Sequence, residues 1–178
     1  MALVSRTESH GAAPRWVLRV APLAYAVVVS NTTIAVGSDH AGFHLKNVVA
    51  EHLRGRGVEV MDLGTDSEER VDYPDFGEAV GRAVGEGGAD LGVAVCGSGI
   101  GICMAADKVP GVRAGTVHDE TSARLARQHN DANVICLGAR LVGESVALAA
   151  VDAWLDATFE GGRHTARVAK LDSLLPVE

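Results

Sequence analysis

Five short runs rich in Val, Ile and Leu, at 34–37, 58–63, 91–95, 112–117 and 133–137, are spaced along the chain. Runs of this length, apolar on successive residues, are the pattern of parallel strands buried on both faces. The segments between them follow the other period. Leu45, Val48, Val49 and Leu53 recur at helical spacing, and Gly57 is placed to end that helix. Pro74 stands where a second helix begins, with Phe76, Ala79, Val80, Ala83 and Val84 as its apolar stripe. A helix carrying Cys103 is expected after the third run. Asp119 is a candidate N-cap for a helix reaching about His129, and two more helices are predicted over about 144–157 and 163–174.

The resulting βαβαβαβαβα order predicts a three-layer αβα fold, a doubly wound, five-stranded parallel sheet of Rossmann-like type. Ligands of such sheets bind beyond the carboxyl ends of the strands, so the residues just after each run are the candidates for chemistry. The domain is expected to span 34–178. Residues 1–33 are expected to lie outside it, as a disordered extension or as residues that do not belong to the native chain. Their apolar stretch at 16–29, which ends in a small-residue cleavage-like Ala24-Tyr25-Ala26, is interrupted by Arg19 and Pro22 and is too short to span a bilayer.

Hydrophobic residues make up 47% of the chain and aromatics only 4%, so aliphatic side chains must fill the core. The net charge is −7; residues 1–33 hold three arginines and one glutamate, which leaves the rest at −9. An acidic domain has no broad attraction for nucleic acid or for an anionic membrane. An anionic ligand would have to be captured by a few local arginines, which supply 13 of the 16 basic residues. Three cysteines without a C-x-x-C pair read as neither a disulfide scaffold nor a four-ligand zinc site, and they suit a reducing cytoplasm.

Ser38-Asp39-His40-Ala41-Gly42 follows the first run, placing an acid and an imidazole at the mouth of the sheet. Cys96-Gly97-Ser98-Gly99-Ile100-Gly101 follows the third. Alternating glycines let backbone N–H groups approach a phosphate or a developing oxyanion. Cys96 at such a helix start is either a reactive thiolate or a small hydrophobe ending a strand. Cys103 and Cys136 read as core residues. The loop is not a P-loop, since no Gly-Lys-Ser/Thr follows. It departs from the dinucleotide fingerprint by reading G-x-G-x-G, although Asp119 lies where a ribose-binding acid would be. His129, in Arg127-Gln128-His129-Asn130-Asp131, is either a dipole-favoured helix end or an acid/base group. Arg163 and Arg167, spaced i and i+4, suit one phosphate or form a solvated face.

Together, G-S-D-H-A-G at 37–42, D-Y-P at 72–74, C-G-S-G-I-G at 96–101, R-Q-H-N-D at 127–131, G-A-R at 138–140 and E-G-G-R-H at 160–164 strongly resemble the B-type ribose-5-phosphate isomerases. Their wider family includes galactose- and allose-6-phosphate isomerases. The resemblance covers about 34–174. It implies interconversion of aldose and ketose phosphates through a cis-enediolate, without a metal or other cofactor, on ribose 5-phosphate or another four- to six-carbon sugar phosphate. It would make Cys96 the base, assisted by Ser98; Ile102 stands where one branch of the family has a glutamate. His129 would open the sugar ring, with Asp39 as its counterpart. The N–H groups of Gly97, Ser98, Gly99, Ile100 and Gly101, with the Asn130 amide, would hold the enediolate. His40, Arg140, Arg163 and Arg167 would hold the phosphate, and Tyr73 would touch the sugar. It further implies a homodimer or homotetramer with sites shared between subunits. A non-catalytic sugar-phosphate- or nucleotide-binding module on the same sheet is the reading from a different class, and a metal-dependent isomerase is a third.

Overall fold

The computed structural model describes residues 32–174. The apolar stretch at 16–29 and nearly all of the expected extension therefore lie outside the described residues. Five strands form one parallel sheet: β1 (Thr33–Ser38), β2 (Glu59–Asp62), β3 (Leu91–Cys96), β4 (Ala114–Thr116) and β5 (Val134–Gly138). The doubly wound αβα prediction is thus met. The strand order, β2-β1-β3-β5-β4, could not be read from the sequence. The chain passes from β3 to the edge as β4 and returns to insert β5 between them.

Among the described residues, six helices cover the two faces: α1 (Phe43–Gly55), α2 (Tyr73–Gly85), α3 (Ile100–Ala106), α4 (Glu120–Asn130), α5 (Glu144–Leu155) and α6 (Thr165–Asp172). Their signals are those the sequence carries. Pro74 lies in the first turn of α2, and Gly57 adopts the left-handed conformation (φ +80°) just past the end of α1. Asp119 caps α4 in a reciprocal box: the Ser122 N–H donates to Asp119 Oδ1 at 2.7 Å, and the Asp119 N–H donates to Ser122 Oγ at 3.2 Å. The last helix differs from expectation. It begins only at Thr165, after a single 3-10 turn at Gly162–His164, so Arg163 and Arg167 do not share one continuous α-helix.

Strand residues alternate between two apolar layers, as a two-residue period requires. Val36, Val93, Val95, Ile135 and Leu137 face α1, α4 and α5. Ala35, Ala94, Cys96 and Cys136 face α2 and α3, where smaller side chains let these two helices lie close to the sheet. Among the described residues, no helix is long and apolar enough to cross a membrane.

Trp154 of α5, 1% exposed, carries a side chain that reaches the far end of the sheet. Its indole N–H donates to the Ala132 carbonyl at 3.0 Å, fixing the loop between α4 and β5. Trp154→Phe removes that donor and leaves a gap where the second ring lay. It should lower stability by about 1–3 kcal/mol in a denaturant titration.

Candidate active site

The first cluster forms where β1 and β3 end. The Asp39 N–H donates to the Val95 carbonyl at 3.3 Å, and Asp39 Oδ1 accepts from the Gly42 N–H at 3.0 Å. The Asp39 carboxylate is thereby held, 5% exposed, at the mouth of the sheet. His40 Nδ1 lies 3.2 Å from the Val71 carbonyl and 3.3 Å from the Val71 N–H, and its tautomer selects between them. Either bond ties the segment leading into α2 to the end of β1. Tyr73, first residue of α2, lays its ring directly against Gly101.

Cys96 is the last residue of β3 and is 4% exposed. The chain turns back on itself here, and the Gly99 N–H donates to Cys96 Sγ at 3.1 Å. Two glycines make that turn possible. Gly99 has φ +75°, which favours a residue without a Cβ. Gly138, at the end of β5, approaches so closely that a Cβ would lie 2.6 Å from the Ser98 carbonyl carbon and oxygen. The Thr116 hydroxyl completes the fixation by donating to the Gly99 carbonyl at 3.2 Å. Ser98 Oγ accepts from the Ile100 N–H at 3.3 Å, so the Gly99 and Ile100 amides of the expected cradle already have partners within the chain. The Arg140 N–H donates to the Gly97 carbonyl at 3.0 Å, and its guanidinium lies beside Gly97.

Cys103 and Cys136 are buried, as expected, in the same layer as Cys96. Hydrogen bonding to Cys136, with help from Thr116, brings the Cys103 thiol down to about 7 against the opposing effect of burial. Burial pushes the Cys136 thiol up.

His129, Asn130, Arg163 and Arg167 are not in this cluster. A helix between parallel strands runs back along the sheet, so the last turn of α4 lies where the strands begin. The His129 and Asn130 turn leads into Asn133, whose carbonyl accepts from Gly92 at the start of β3 and whose side chain accepts from Arg113, just ahead of β4. Cys96 is in register with Gly138, at the other end of β5 from Val134. At about 3.3 Å per residue, those two levels are roughly 13 Å apart along the strand. Here Glu160 donates its N–H to the Gln128 carbonyl at 3.0 Å, and its carboxylate lies 3.8 Å from His129 Nε2. His164 stacks on the His129 ring with centroids 4.3 Å apart. Next to this cluster, a cavity of about 480 Å³ lies between the start of β4 and α6, lined by Arg113, Asn130 and Leu171 among others. It is distant from Cys96.

Thr116, Glu160 and His164 thus join the functional neighbourhood without having been singled out by the sequence for it. Only the E-G-G-R-H motif contained two of them.

The model of the ribose/galactose isomerase family matches residues 34–171 of the chain. The chain belongs to that family. Ribose-5-phosphate isomerase B of Escherichia coli (strain K12) is 50% identical over 141 residues, covering 79% of this chain and 95% of that protein. A solved structure of the Clostridium thermocellum ribose-5-phosphate isomerase B superposes with a TM-score of 0.79 at 50% identity, covering 80% of this chain and 97% of the other. The Mycoplasma genitalium isomerase B, solved with bound ribulose 5-phosphate, gives 0.77 at 45% identity over 80% and 95%. The matched residues 34–171 include both clusters.

The Gly138 contact can be tested directly. Gly138→Ala should push the Ser98 peptide and lower turnover at least about tenfold in a folded protein, because small misplacements at a reacting centre are costly. Gly143→Ala, with nothing within 4 Å of its added carbon, should leave activity unchanged. Kinetics and circular dichroism of both variants check this.

Proposed function

We propose that the protein is an aldose–ketose isomerase converting ribose 5-phosphate to ribulose 5-phosphate, with Cys96 as the base and each site completed by a second copy of the chain. The observation that carries the chemistry is the Cys96 sulfur held at the strand end with the Gly99 N–H pointing at it. That donor offers a hydrogen bond to the thiolate form, the form able to take a proton from carbon.

In the forward direction Cys96 Sγ removes the proton on C2, and the electron pair of that bond moves through C1 onto O1. The enediolate oxygens are received by the remaining N–H groups of the Gly97–Gly101 loop and by the Asn130 amide of the partner subunit. The thiol returns its proton to C1, and the hydroxyl proton on O2 passes to O1, leaving the C2 ketone. Ser98 borders the thiol and Tyr73 borders the sugar. His129 of the partner subunit donates to the ring oxygen of the furanose, and Asp39 receives the proton of the anomeric hydroxyl. His40 and Arg140 of one chain, with Arg163 and Arg167 of the partner subunit, surround the phosphate.

A shared site is favoured by the separation of the two clusters within one chain. The apolar rim of the Cys96 cluster, where Tyr73, Ile100, Met104 and Leu141 are exposed, suits contact with a second copy. Three free thiols fit the reducing cytoplasm as the place of action.

Removing a positioned general base costs about 10²–10⁴-fold in rate. Cys96→Ala should lose kcat by that factor with KM for ribose 5-phosphate little changed, while Cys103→Ala and Cys136→Ala remain active. Iodoacetamide should inactivate the wild type, and excess substrate should protect it. Near-normal kcat in folded Cys96→Ala would refute the thiol mechanism.

A further inference from the structure

His164 is 6% exposed, and the reaction as proposed does not use it. Its ring lies parallel to that of His129, at 8° and 4.3 Å between centroids. The Arg163 Nε–H donates to His164 Nε2 at 3.2 Å. A nitrogen that accepts from a guanidinium carries no proton, so His164 is neutral with its hydrogen on Nδ1.

His129, Glu160 and His164 place ligand atoms within 4.8 Å of one another, which invites comparison with a metal site. The geometry points elsewhere. Two ligands of one tetrahedral metal must aim their lone pairs at a common point, whereas parallel stacked rings aim theirs side by side. One nitrogen of His164 is also already occupied by Arg163.

We propose that His164 is a positioning residue for His129: its face fixes the plane of the His129 ring, and its Nε2 ties the ring pair to the phosphate-binding Arg163. The proposal rests on the reading of His129 as the ring-opening acid. His164 is the neutral ring of the stack. Burial holds the His164 ring below the usual imidazole range, and His129, Arg163 and Arg167 push the same way against Glu160. The His129 ring thus faces the neutral His164 ring, with the Glu160 carboxylate 3.8 Å from its Nε2. Because Arg163 spends its Nε on His164, its two Nη groups remain for phosphate. Phosphate grip and ring-opening acid are thereby mechanically joined.

The two directions of the reaction separate this role from a merely structural one. Ribose 5-phosphate enters as a closed furanose and needs ring opening. Ribulose 5-phosphate, with O5 esterified, has no hydroxyl able to close a five-membered ring on C2 and enters open. His164→Ala should lower turnover of ribose 5-phosphate about ten- to a hundredfold. Turnover of ribulose 5-phosphate should change less than about threefold. His164→Phe keeps a ring for His129 to stack on but removes Arg163's acceptor. It should raise KM for both sugars while keeping the ratio of the two turnover numbers within about threefold of wild type. Equal losses in both directions for His164→Ala, no loss at all, or a His164→Phe protein as asymmetric as His164→Ala would overturn the positioning role. His129→Ala, measured in parallel, should show the same asymmetry. If it shows none, the reading of His129 itself fails and the proposal falls with it.

Discussion

A helix joining two neighbouring parallel strands must run back along the sheet, and this polarity divides the chemistry of the chain. The carboxyl ends of β1, β3 and β5 carry Asp39, Cys96 and Arg140. The return helix α4 delivers His129 and Asn130 to the opposite end, about a strand length away. The segment after α5 brings Arg163, His164 and Arg167 to that same end, anchored by the Glu160–Gln128 backbone bond. A small sugar phosphate cannot bridge the two groups within one chain. Two copies in which the carboxyl end of one sheet faces the α4 end of the other would bring all of these residues to one ligand. This is the physical reason for proposing a shared site.

Each half is rigid for a different reason. The Cys96 half depends on backbone closeness: Gly99 in its left-handed turn, Gly138 pressed on Ser98, and Thr116 bonded to the Gly99 carbonyl. The His129 half depends on side chains. Arg113 donates to the Asp131 carbonyl at 3.0 Å and its carboxylate at 2.9 Å, Arg127 pairs with the same carboxylate, and Asp131 adopts φ +47° to end α4. The stacked imidazoles rest on that frame. Loss of a glycine in the first half displaces backbone, whereas loss of a ring in the second changes orientation and charge.

The sheet was legible because burial of the inner strands β1, β3 and β5 writes continuous apolar runs. The edge strands β2 and β4 are only partly buried, yet all five fall within the predicted segments to within a residue or two. Pro74, Asp119 and Gly57 marked helix ends because each acts locally. Strand order was not legible, since the run at 112–117 looks the same at an edge as at the centre. Cys96 and the glycine loop stood out because closely spaced glycines have a specific backbone use. The separation of the candidate residues into two clusters was hidden for the opposite reason: the polarity of the sheet, not any local pattern, sends His129 away from Cys96. Thr116 meets Gly99 and His164 meets His129 across the fold, contacts that no local pattern marks. Arg163 lies in the 3-10 turn and Arg167 in α6, and that turn is entered through Gly161 and Gly162, both at positive φ.

Subunit sharing is tested most directly with a hybrid of two chains, each impaired on ribose 5-phosphate, the assayed substrate, which needs both the base and ring opening. Cys96→Ala and His129→Ala chains, co-expressed with different tags and purified through both, give assemblies containing one of each per pair. If the two residues meet across subunits, one site of the pair carries both substitutions and the other carries neither, so activity should return to roughly half that of the wild type. If Cys96 and His129 of the same chain act together, every site in the hybrid carries one substitution. The hybrid would then turn over ribose 5-phosphate no faster than its parents, and the shared-site arrangement would be contradicted.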